Sequence, residues 1–94
     1  MNDAADEDAR RVRPNGLAVR RLRHDRGWST DAMVEAIARA HRASTGVRRT
    51  ITPHLLAGIE ERDEPIPYAT LCLVAASFDC DPVDLLAIDG SIDA

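Results

Sequence analysis

Thr52-Pro53-His54-Leu55-Leu56-Ala57-Gly58-Ile59-Glu60 is the stretch whose reading decides the fold. Thr52 can accept from the free N–H groups of a first helical turn, and Pro53 at the first helical position has no N–H to leave unpaired. Leu55, Leu56 and Ile59 fall at i, i+1 and i+4, a narrow apolar stripe that must face a core. The spacing predicts a short, capped helix that buries one side and leaves its first turn in water.

Working toward the N-terminus, a first helix is expected from about Gly16 to Arg26. Val19, Leu22 and either Leu17 or Arg26 are expected to share its inner face, with Arg20, Arg21 and Arg23 around the other side. Gly27 is a helix stop. Trp28-Ser29-Thr30-Asp31 then reads as a new start, with Ser29 as N-cap, Asp31 at the positive helix end and Trp28 placed to staple against Met33. Met33, Ala36, Ile37, Ala40 and His41 keep helical spacing to about Arg42. The segment from Ala43 to Ile51, rich in Ser, Thr, Gly and Arg, reads as a loop.

Toward the C-terminus, Glu61 to Ile66 reads as a second loop. Pro67 is expected to open a fourth helix with Leu71, Val74, Ala75 and Phe78 inward. Asp81-Pro82 signals a short fifth helix through Val83, Leu85, Leu86 and Ile88. No β-alternating run competes, so the expectation is all-α. Residues 1–14 are expected as a flexible arm, 15–88 as the folded domain and 89–94 as a tail.

The 94 residues suit one domain, and a hydrophobic fraction of 45% argues against wholesale disorder. No run is long enough for a membrane span, and the acidic start lacks the layout of a signal peptide, so the cytoplasm is the expected compartment. The net charge is -4, but its distribution is uneven. All 12 basic residues are arginines between positions 10 and 62, against five acids there, whereas residues 63–94 hold seven acids and no cation. A basic middle between acidic ends can still present one positive face to nucleic acid.

Order and spacing together resemble the Cro-type (XRE-like) helix-turn-helix family, over roughly Gly16 to Ile88. Val19-Arg20-Arg21-Leu22-Arg23 with Gly27-Trp28-Ser29 is similar to the family's first helix and following turn. Met33 and Val34 occupy the leucine and alanine places of its second helix. Ile51 to Glu60 resembles the recognition helix, and Leu71 to Leu86, with Ala75, Phe78 and Cys80 at core places, resembles the last two helices. The resemblance implies an all-α, five-helix lambda-repressor-like helix-turn-helix domain. It also implies that Arg23 pairs with Glu60, an ion pair able to lock the recognition helix against the first.

Three features depart from the family pattern. The stretch between Met33 and Ile51 is about a dozen residues longer than the family's usual connection, and it carries Arg39, Arg42, Arg48 and Arg49. The positions that usually read bases hold Pro53, His54, Leu55 and Gly58, which make few bidentate contacts with base edges. The loop after the recognition helix, Glu61-Arg62-Asp63-Glu64, is acidic where the family is usually basic, and it should repel phosphates.

The function implied is a DNA-binding transcriptional regulator such as a repressor, a homodimer that places its third helix in the major groove of double-stranded DNA. Thr52, Pro53, His54 and Leu55 would face bases, and Arg20, Arg21, Arg48, Arg49 and Arg62 would contact phosphates. The alternative is the same fold used as a protein-interaction module, an antitoxin or partner-binding regulator, whose acidic C-terminal third meets a basic partner. Cys72 and Cys80 have no metal-ligand spacing and read as small apolar groups. No phosphate loop or nucleophile–base arrangement occurs, so neither a metal, a cofactor nor an enzyme activity is expected.

Overall fold

The computed structural model describes residues 10–87. Four α-helices carry most of the fold: α1 (Gly16–Asp25), α2 (Thr30–Thr45), α3 (Pro53–Arg62) and α4 (Tyr68–Ser77). A short 3-10 helix, Pro82–Leu85, follows them. The all-α class therefore holds, with a 3-10 turn in place of the expected fifth α-helix. Asp81 caps that turn by accepting from the Val83 N–H at 3.2 Å, and Leu86 is already extended, so the element ends before a second turn can form. Ile88 and the expected tail lie outside the described residues, as do residues 1–9.

Helix boundaries follow their caps. Asn15 accepts from the Ala18 N–H, Ser29 from Ala32 and Thr52 from Leu55, each at 3.0 or 3.1 Å. Gly27, at φ +68°, breaks α1 from α2. The second helix runs one turn beyond the expected Arg42, because Thr45 Oγ1 donates back to the His41 carbonyl at 2.9 Å and Gly46 takes the left-handed conformation that closes a helix.

Residues 10–14, the end of the segment read from the sequence as an arm, hydrogen-bond to the rest of the fold, and a small sheet joins the helices. Strand β1 (Arg11–Val12) pairs antiparallel with β2 (Ile66–Pro67), with Val12 opposite Ile66. Tyr68, the first residue of α4, donates its N–H to the Arg10 carbonyl at 2.8 Å. Pro67 is thus the N-cap residue rather than the first helical one, and a carbonyl from the start of the chain takes over what a capping side chain would do. Asn15 N–H to Leu85 O (2.7 Å) and Ala87 N–H to Arg13 O (3.0 Å) bind the same segment to the 3-10 turn. These contacts are backbone to backbone, which explains why no side-chain periodicity announced them.

The core collects Val19, Met33, Ile37, Leu56, Ile59, Ile66, Leu71, Val74, Phe78 and Leu85, with α2 packed on α4 and α1 on α3. Trp28 stacks on Phe78 with ring centroids 5.9 Å apart. The Arg26 guanidinium lies 5.1 Å from the Phe78 centroid and donates to the Phe78 carbonyl at 3.0 Å, closing that corner.

Candidate nucleic-acid interface

The C-terminal half of α3 is fixed from two directions. Arg23 Nε donates to Glu60 Oε2 at 2.7 Å and its Nη2 to Glu60 Oε1 at 2.9 Å, a bidentate pair. Its remaining Nη1 donates to the Trp28 carbonyl at 2.9 Å, a third contact that the sequence did not announce. Both side chains are buried, and the hydrogen bond with Glu60 raises the Arg23 pKa further above its ordinary value. One turn on, Asp63 sits in the left-handed conformation at φ 49°, and its carboxylate accepts the Gly16 N–H at 3.0 Å. That carboxylate supplies a negative charge at the start of α1, where the helix dipole favours one. A side chain at residue 16 would run into the Ile59 carbonyl, so glycine permits this approach.

The N-terminal end of α3 is open. Thr52, Pro53 and His54 are exposed and Leu55 is half-buried. The Thr52 hydroxyl oxygen already accepts from Leu55 N–H, which leaves its proton free to donate outward.

The long connection before α3 folds back along α2. His41 Nδ1 donates to the Val47 carbonyl at 2.7 Å, Arg48 reaches back to Glu35, and Thr50 Oγ1 donates to the Val34 carbonyl at 2.6 Å. Chain that passes Val34 thus returns to Val34, and the added length is taken up as an out-and-back excursion that leaves α3 starting beside the first half of α2.

The five arginines expected at phosphates are all exposed, but they divide into two groups. Arg48 makes a bidentate contact with Glu35, both bonds 3.2 Å, and this hydrogen bond holds the Glu35 carboxyl below its usual range. Arg62 is bonded to Glu64 at 2.9 Å. Arg20, Arg21 and Arg49 make no ion pair among the described residues. Arg62 and Glu64 are two residues apart in one loop, whereas Glu35 becomes a partner of Arg48 only through the returning connection.

Cys72 and Cys80 are free thiols, both half-buried, and burial pushes the Cys80 thiol up. Among the described residues no three His, Cys, Asp or Glu side chains gather as a metal site, and no helix is long and apolar enough to cross a membrane. No family model, curated protein or solved structure matches the chain.

Proposed function

We propose that this chain is a DNA-binding transcriptional regulator of helix-turn-helix type, a cytoplasmic homodimer without enzyme activity that presents the first turn of α3 to the major groove. One observation carries the reading. The third helix is anchored at its C-terminal half by Arg23–Glu60 and Gly16–Asp63 while its capped first turn stands in solvent. A helix held at one end and bare at the other is what groove insertion requires. The return of the long connection to Val34 supports it further, because the extra residues do not displace α3 from α2.

Base readout in this reading is thin. His54 can make one hydrogen bond, Leu55 can touch a thymine methyl, and Pro53 contributes shape only. Affinity would come mainly from phosphates, with Arg20, Arg21 and Arg49 fully available and Arg48 and Arg62 shared with carboxylates. The test is fluorescence anisotropy on duplex DNA across a salt series, with selection from a random library. Binding should weaken steeply with salt, and Arg21→Ala or Arg49→Ala should each lower the slope by about one. Arg48→Ala should lower it less. Salt-insensitive binding, or no enrichment of a two-fold site, would refute this proposal.

A second reading, a protein-interaction module, is favoured by the acids. Asp79, Asp81 and Asp84 are exposed and make no ion pair among the described residues, so they form a surface suited to a basic partner. The double change Arg48→Ala with Arg49→Ala separates the readings, since it should weaken every duplex and leave an acidic docking surface untouched.

A further inference from the structure

A cleft of about 300 Å³ opens between the C-terminal half of α2 and the outer face of α4. One wall is Ala69, Cys72, Leu73 and Ala76, spaced i, i+3, i+4 and i+7 on a single helix face. The fourth helix has no charged residue anywhere in its sequence, so this wall offers apolar contact and one thiol. A surface helix of such composition ordinarily has its second face covered. The opposite wall holds His41 and Ser44 from the last turns of α2, and Arg49 from the returning connection.

Charge decides what the cleft can take. None of its lining residues is an acid, and Arg49, unlike its neighbour Arg48, has no carboxylate partner among the described residues. A guanidinium beside an apolar wall is complementary to an anion with an apolar body, and its planar fork matches a carboxylate. The volume is at the lower end for ligand pockets, so it suits a small body such as a single ring or a short alkyl chain. We propose that this cleft is a binding site for a small amphipathic carboxylate, its charged end on Arg49 and its apolar body against α4.

Occupancy has a regulatory consequence, which rests on the DNA-binding reading. Arg49 is one of the proposed phosphate contacts, and only Thr50 and Ile51 separate it from the cap of α3. A ligand carboxylate and a DNA phosphate compete for one guanidinium, so the ligand weakens duplex binding and the duplex weakens ligand binding by the same factor.

The experiment uses the full chain with phenylacetate and hexanoate as probes and their uncharged amides as controls. Two readouts are independent of DNA: the melting temperature, and the rate of Cys72 alkylation, with Cys80 outside the cleft as internal reference. The carboxylates should raise the melting temperature and slow Cys72 alkylation severalfold, and the amides should do neither. Arg49→Gln should weaken carboxylate binding roughly tenfold or more, and Arg48→Gln should leave it unchanged. Equal effects from acids and amides, unprotected Cys72, or undiminished binding by Arg49→Gln overturns the site. With phenylacetate bound, duplex affinity should fall, and an unchanged affinity overturns the regulatory half. If Cys72 is protected but no duplex binds under any condition, the DNA-binding reading fails and the ligand site stands.

Discussion

Replacing Arg23 by methionine should be among the most damaging single changes available to this chain. Arg23 is 8% exposed and the Glu60 side chain 4%, so the substitution strands a buried carboxylate that has lost both of its strongest donors. Breaking one side of such a pair costs about 3–5 kcal/mol, a large part of the roughly 5–15 kcal/mol that holds a domain together. With a urea slope of about 1.5 kcal/mol/M, the unfolding midpoint should fall by roughly 2–3 M. Circular dichroism at the helix band follows it, and Trp28 fluorescence reports the same corner independently. The double variant Arg23→Met with Glu60→Leu should recover most of the loss, since apolar residues of similar volume replace an ion pair at little cost. A loss below about 1 kcal/mol, the range of exposed pairs, would refute the reasoning, as would a double variant no better than the single one.

Other consequences can be checked on the same footing. Gly16→Ala should destabilise by about 1–3 kcal/mol in urea titration, because the new methyl meets the Ile59 backbone carbonyl, which cannot step aside. Gly58→Ala should be neutral or stabilising in the same assay, since the atoms nearest its methyl are the movable ends of Glu64 and Arg62 and a helix-interior glycine is replaced. Thr52→Ala should cost about 1 kcal/mol through the lost cap, measurable by thermal melting without DNA. Cys80 should alkylate more slowly than free cysteine at pH 8, and its rate profile should lie at higher pH, because burial disfavours the thiolate that reacts.

Side-chain signals led to the helices and their starts. Ser29 and Thr52 sit at the caps their hydroxyls suggest, and the inward sets on α2 to α4 follow the apolar stripes of the sequence, whereas α1 turns Arg23 inward with Val19 and leaves Leu17 in solvent. The Arg23–Glu60 pairing came from family resemblance, for two residues 37 apart share no local signature. What escaped was backbone chemistry. The Arg10–Pro14 segment carries no alternation, because its hold on α4 and the 3-10 turn is made by carbonyls and N–H groups common to every residue. Likewise, nothing in the spacing of Glu35 and Arg48 predicts that a loop will double back and bring them together. The extra turn of α2 did have a signal in Gly46, a residue suited to the left-handed position that ends a helix.

The backbone bond between Ala87 and Arg13 makes neighbours of two positions at opposite ends of the described chain. Such proximity means that a short linker could join them and that new ends could be cut elsewhere. The exposed bend at Gly46 and Val47 is the natural place for that cut, since it lies between two helices and away from the core. A circularly permuted protein of this kind would keep α3 and its anchors while severing the returning connection from α2. It would thereby convert the order of the chain into an experimental variable.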